Sequence, residues 1–136
     1  MEKTQEPKIP LVSRSARPSF WQTLREVEEQ VELPTLADTE GCLDPLYPEI
    51  CRIIAEVLMM DPGHEIKISG ELFFTGMVQD IFRSLTAEHL QLVKDNFDKV
   101  TREIKAKKSY LRTALYNSAF ELEAHYANLV NRDLGY

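Results

Sequence analysis

The sequence predicts a small, mostly α-helical bundle of about five core helices with one short extended strand. Apolar residues recur at intervals of three and four through most of the chain after residue 44, which is the spacing of core-facing helices. Residues that cap or stop helices separate these segments, and only one stretch alternates as a strand does. A chain of 136 residues with 43% hydrophobic residues suffices for one domain with one modest core.

The chain divides into three predicted regions. Residues 1–17 are polar, include two prolines and lack hydrophobic periodicity, which is typical of a disordered tail. Residues 18–43 are predicted to form an amphipathic helix followed by a turn-rich linker. Residues 44–136 hold the remaining periodic segments, and we expect them to form the compact helical domain.

The first predicted helix spans about residues 19–32. Ser19 is a suitable N-cap, and glutamates lie on the side opposite the apolar face. That face consists of Phe20, Leu24, Val27 and Val31 at helical spacing. The apolar face either packs on the domain or docks on a partner. The sequence leaves both interpretations open.

The compact domain is predicted to begin with a strongly apolar helix. Asp44 is a candidate cap, and Pro45 and Pro48 suit a first helical turn. The turn at Asp61-Pro62-Gly63 ends this helix. Its core-facing stripe consists of Leu46, Ile50, Ile53, Ile54, Val57 and Leu58.

One short strand and a second helix are predicted next. Ile66 and Ile68 alternate with polar residues, as in a strand with one buried face. Ser69-Gly70 then turns the chain into a helix that begins near Glu71. Its apolar side chains are Phe74, Met77, Val78, Ile81, Phe82 and Leu85.

Three further helices complete the predicted bundle. Thr86 caps the first of them, and the second follows a basic connection. Ser118 and Glu121 fit an S-x-x-E capping box, which predicts that the last helix begins at Ser118. His125 is in line with the apolar residues of that helix, so we expect it at the edge of the core.

Composition narrows the function classes. A net charge of −6 argues against a general nucleic-acid coat protein, and no apolar run reaches the roughly 18 residues of a membrane span. The first residues lack the apolar core of a secretory signal. Cys42 and Cys51 lack metal-site or redox spacing, and His64, His89 and His125 stand far apart. We therefore expect a cytoplasmic protein without a metal or other cofactor.

No catalytic constellation is visible in the sequence. Glu121, Glu123 and His125 are close together on one predicted helix, but an isolated pair of this kind is a weak signal of a site. Glycine-rich phosphate loops are absent, because the five glycines are scattered singly. The sequence thus predicts a non-enzymatic protein.

Positive charge is concentrated between residues 99 and 112. This window carries a charge of +5, which leaves −11 for the rest of the chain. It is either a solvated connection or a contact surface for DNA phosphates or an acidic partner. Tyr110 and Tyr116 flank Arg112 and would allow stacking beside the charges. The basic residues are Lys99, Arg102, Lys105, Lys107, Lys108 and Arg112, with Glu103 as the one acid.

Four stretches follow one another in an order and spacing typical of one family. They are "EICRIIAEVL", "IKISGELFFTGMVQDIFRSL", "LTAEHLQLVKDNFDKVTREIKAKKSYLRTALYN" and "YANLVNRDL". With these, residues 46–136 resemble the C-terminal domain of replication initiator protein A of Firmicutes-type plasmids and integrative elements. Ser118-Ala119 and Arg132 depart from the family pattern, which has Ala-Pro and His there. The winged-helix domain that recognises the origin in that family is not among these residues.

The same region is similar to the C-terminal domain of DnaD-type primosomal proteins. Their aromatic motif is matched by Tyr110, whereas Ala114 and Ser118 replace its later members. The two resemblances imply a helical adaptor that binds a host replication protein, such as primase or helicase-loading machinery, or single-stranded DNA. Its candidate contact residues are Lys105, Lys107, Lys108, Tyr110 and Arg112. The alternative is a small stand-alone regulator of a mobile element that acts by protein contact through the first helix.

Overall fold

The computed structural model describes residues 18–133, with side chains through residue 130; the predicted tail at residues 1–17 lies outside this range. The prediction of a small, mostly helical bundle with a short extended element is confirmed. In chain order the elements are α1 (Phe20–Gln30), a 3₁₀ helix (Leu33–Leu36), α2 (Leu46–Leu58), β1 (Glu65–Ile68), β2 (Glu71–Phe74), α3 (Thr75–Phe82), α4 (Ala87–Asp98) and α5 (Lys107–Asp133).

Helix α2 is the central element of the bundle. It packs against α1, α3, α4 and α5, and eight of its 13 residues are buried. As predicted, Asp44 caps its start, because the Leu46 N–H donates to Asp44 Oδ1 at 2.8 Å. Burial also raises the pKa of the Cys51 thiol to about 12, so this side chain is an unreactive part of the core.

The core extends N-terminal of Asp44. Helix α1 packs on α2, and Val27, Val31 and Leu36 belong to the same buried cluster as the residues of α2. Ser19 is the N-cap, since its hydroxyl accepts a hydrogen bond from the Gln22 N–H at 3.1 Å. Of the two interpretations of this helix, packing on the domain is the one observed.

The single predicted strand is one half of an antiparallel hairpin. Ile66 pairs with Phe73, and Ile68 pairs with Glu71. Ser69 and Gly70 both have positive φ, at 54° and 84°, which is the backbone of a tight type I′ turn between two strands. The expected helix start at Glu71 was therefore wrong, because β1 holds Glu71–Phe74 as a partner strand and α3 begins only at Thr75.

The predicted break at Ser118 was also wrong. Helix α5 is continuous for 27 residues, and the buried Ser118 hydroxyl donates to the Leu115 carbonyl inside the helix at 2.7 Å. A serine can form this bond mid-helix as well as cap a helix, so the S-x-x-E pattern does not fix a boundary. Glu121 consequently caps nothing. His125 is exposed on the later turns of α5 rather than at the core edge.

Two glutamine side chains cap the C-terminal ends of neighbouring helices. Gln79 of α3 is buried, and its Nε2 donates to the Val57 and Met60 carbonyls at 2.9 and 2.8 Å. Gln30 of α1 reaches the end of α3 in the same way and donates to the carbonyls of Phe82 and Leu85. Carbonyls at a helix end have no partner within the helix, so these amides satisfy groups that packing removes from water.

Replacing Gln79 by Met should lower the free energy of unfolding by about 1–3 kcal/mol. The apolar side chain keeps the shape but leaves the Met60 carbonyl without its donor, whereas the Val57 carbonyl still accepts from the Met60 N–H. Gln30→Met should cost less, about 1 kcal/mol, because Gln30 is only half-buried. Urea denaturation followed by circular dichroism measures both. Equal stability of Gln79→Met and wild type would show that this cap does not hold α2 and α3 together.

A histidine closes the start of α4. The Thr86 N–H donates to Nδ1 of His89 at 3.0 Å, so this nitrogen must be unprotonated. Burial lowers the pKa of His89, which also favours the neutral ring in the folded protein. The unfolded chain therefore binds a proton more readily than the folded chain at this position.

Stability should accordingly fall as the pH decreases from about 7.5 through the ordinary histidine pKa of about 6.5. His89→Gln should flatten this dependence, because Gln can accept the same hydrogen bond without titrating. His125→Gln, at an exposed site, is the matched control and should keep the wild-type slope. Thermal unfolding at several pH values tests this. A wild-type slope in His89→Gln would assign the pH dependence elsewhere.

Candidate functional site

Two of the five predicted contact residues pair with acids of the bundle. Lys107 Nζ lies 3.0 Å from Glu49 Oε1 and 5.6 Å from the centre of the Phe97 ring. Lys108 Nζ lies 3.0 Å from Glu56 Oε1. Both glutamates are on α2, so these ion pairs fasten the first turn of α5 to the centre of the fold. Lys107 and Lys108 thus have acidic partners within the bundle, although both side chains remain partly exposed.

Tyr110 and Arg112 contribute mainly to packing. The Tyr110 ring is half-buried and lies edge-on against Phe97, with 6.0 Å between the ring centres. Arg112 is also half-buried, and its Nε is enclosed without a hydrogen-bond partner among the residues described. Tyr110 nevertheless also lines a surface cleft between the hairpin turn and the start of α5, where a ligand would reach it.

Lys105 is exposed and lines a cleft with two other cations. The cleft, of about 310 Å³, lies between the hairpin turn and the start of α5, and its three charged lining residues are Lys67, Arg102 and Lys105. None of its lining residues is acidic. We call it the cationic cleft. A local charge of +3 is notable in a chain whose net charge is −6.

One hydrogen bond joins the two sides of the cationic cleft. The Ser69 N–H at the hairpin turn donates to Thr113 Oγ1 of α5 at 3.2 Å. Through this bond β1, which carries Lys67, is held beside the connection that carries Arg102 and Lys105. The Ser109 hydroxyl also lines the cleft and adds a neutral donor.

Exposed apolar side chains lie beside the cationic cleft. Leu72 pairs with Lys67 across the hairpin and is 60% exposed, and Phe74 on the same face is 67% exposed. Large apolar residues grouped at a surface are typical of contact sites. Sequence reasoning missed Lys67 and this face, because Lys67 is a single lysine in a strand far from the basic window. The hairpin register alone brings it there.

The arrangement of the cationic cleft suits binding by charge. Three flexible cations beside hydroxyl groups suit phosphate or carboxylate groups. Within residues 18–130, no group of three or more His, Cys, Asp and Glu side chains is placed to hold a metal ion. Over the described part of the chain, none of the helices combines the length and the apolar character that crossing a bilayer requires.

Comparison with known proteins identifies a family. The profile of DUF6017, a family of unknown function, matches residues 22–135. The chain belongs to the DUF6017 family. The match begins within α1 and runs through α5, so it includes both sides of the cationic cleft. Neither a curated protein nor a solved structure shows a significant match to the chain.

Reversing the charge of Lys107 and Lys108 together should lower the free energy of unfolding by about 1 kcal/mol. The double variant places glutamates next to Glu49 and Glu56, and part-exposed ion pairs of this kind contribute little each. Adding Glu49→Lys and Glu56→Lys should restore most of the loss by exchanging the partners. Chemical denaturation of the three proteins measures the effect. No recovery in the fourfold variant would mean that the lysines act independently of α2.

Proposed function

We propose that this domain is a non-enzymatic, cytoplasmic adaptor of a plasmid or mobile-element replication initiator. Its ligand is a host replication protein, such as primase or helicase-loading machinery, or single-stranded DNA. The ligand contacts the start of α5 and the hairpin beside it. The resemblance of residues 46–136 to replication initiator protein A and to DnaD-type domains supplies the biological setting of this proposal.

The observation that carries the proposal is the cationic cleft. Lys67, Arg102 and Lys105 come from two separate parts of the chain and meet without an acidic residue in the lining. Such a cluster attracts anionic groups from solution and orients them, whereas the surrounding negative charge repels anions elsewhere. The proposed contact set keeps Lys105 and Tyr110 from the sequence-based prediction, since both line the cleft, and adds Lys67 and Arg102. Lys107 and Lys108 form ion pairs with α2 beside it.

The test is a charge reversal confined to the cationic cleft. Lys67→Glu, Arg102→Glu and Lys105→Glu should leave the fold intact, because all three side chains are exposed. The control variant reverses three exposed arginines away from the cleft and changes the net charge equally. They are Arg25 of α1, Arg52 of α2 and Arg83, which directly follows α3. Fluorescence anisotropy with labelled oligo(dT) and pull-downs with purified host primase and helicase loader measure binding.

We expect the cleft variant to lose binding at least about tenfold and the control variant to change little. Binding to oligo(dT) that weakens steeply with salt assigns the ligand as single-stranded DNA. Binding to primase or loader that persists after nuclease treatment assigns a protein partner. Equal binding by the cleft variant and wild type, or no binding to any of these ligands, would overturn the proposal.

The structure offers little support for the alternative, a mobile-element regulator that acts through α1. The core buries Val27 and Val31, which belong to the apolar face on which such docking was expected to rely. Trp21 is the large apolar side chain of α1 that stays 68% exposed. A deletion of residues 1–40 would also remove core residues, so this alternative requires surface substitution at Trp21 rather than truncation.

A further inference from the structure

A second surface feature lies between α4 and the later turns of α5. It is a groove of about 370 Å³ whose floor includes the half-buried side chains of Leu92 and Leu122. Three carboxylates line it: Glu88 and Asp95 of α4, and Glu121 of α5. We call it the acidic groove. It shares no lining residue with the cationic cleft.

The helical spacing explains how the acidic groove arises. Glu88, Leu92 and Asp95 are four and three residues apart, so they lie along one face of α4. Glu121 and Leu122 belong to the part of α5 beyond Ser118, where most side chains are exposed. The two helices thus present an apolar strip that carries acids at its margins.

Within residues 18–130 the lysines and arginines of the chain do not neutralise these acids, and His125 is the one basic side chain in the lining. Glu49 and Glu56 are paired with lysines, and Asp44 and Asp98 share Lys94. By contrast, no described lysine or arginine pairs with the three carboxylates of the acidic groove, and none lines it. The one partner seen there is the Tyr126 hydroxyl, which donates to Glu88.

We propose that the acidic groove binds a cationic amphipathic helix of a partner protein. An amphipathic helix lays its apolar side chains into such a groove, and its lysines or arginines then lie next to the flanking carboxylates. The charge excludes nucleic acid from this surface, because phosphates are repelled by Glu88, Asp95 and Glu121. This inference is independent of the ligand of the cationic cleft and gives the domain a second contact surface.

The probe is a fluorescein-labelled peptide of about two heptads, with Leu at helical core positions and Lys elsewhere. A Leu/Glu peptide of the same pattern and a scrambled Leu/Lys peptide are its controls. The wild-type protein should bind the patterned Leu/Lys peptide in a saturable way, and both controls at least about tenfold more weakly. Methyl NMR shifts should change at Leu92 and Leu122.

The variant Asp95→Lys/Glu121→Lys should lower the affinity for the patterned peptide at least about tenfold, since both acids are exposed rim groups. Glu26→Lys/Glu29→Lys changes the net charge equally on the exposed side of α1, which does not pack on α4 or α5, and should change affinity less than about twofold.

Four outcomes of the peptide experiments would overturn the proposal. They are absence of saturable binding, equal loss in the two variants, equal binding of the scrambled peptide, and peptide-induced shifts confined to other surfaces. Sedimentation of the free protein tests whether a second copy of the chain occupies the groove instead. A dimer that Asp95→Lys/Glu121→Lys converts to monomer would assign the acidic groove to a second copy of the chain and would also overturn it.

Discussion

The fold depends on the burial of α2, and burial of a helix is tolerated only when its end groups find partners. Gln79 supplies those partners at the C-terminal end of α2, and Gln30 supplies them for α3. The Gln30 amide thus links α1 to α3, and the Gln79 amide links α3 to α2, in addition to the apolar contacts among these helices. Helix α1 is therefore attached to the bundle by the polar side chain of Gln30 as well as by its apolar stripe.

The central position of α2 also decides which cations of the basic window between residues 99 and 112 have acidic partners. Glu49 pairs with Lys107 and Glu56 pairs with Lys108, so two cations of the basic window help to position α5. Lys105 lies just outside that contact. Because α5 is one continuous helix, it has the cationic cleft at its first turns and the acidic groove roughly 20 Å further along, at about 1.5 Å per residue. One rigid element therefore links two surfaces of opposite charge.

Local patterns in the sequence predicted most of the helices and the caps at Ser19, Asp44 and Thr86. These local patterns failed where contacts between residues far apart in the sequence determine the structure. The residues of β2 are apolar and continue into a helical pattern, so only pairing with β1 reveals a strand. The basic window was visible as a charge run, but the acids that occupy Lys107 and Lys108 lie about 50 residues earlier. Lys67 reaches the cationic cleft through the hairpin register, which no local signal encodes.

The bond between the Ser69 N–H and Thr113 Oγ1 makes the width of the cationic cleft an adjustable property. A short two-stranded ribbon has little stiffness of its own. The ring contact between Phe73 and Tyr116 and the burial of Ile68 anchor its body, and the bond to Thr113 fixes the turn itself. A side chain without a hydroxyl at position 113 would remove the polar attachment of the turn and so change the spacing of the cations without altering their number.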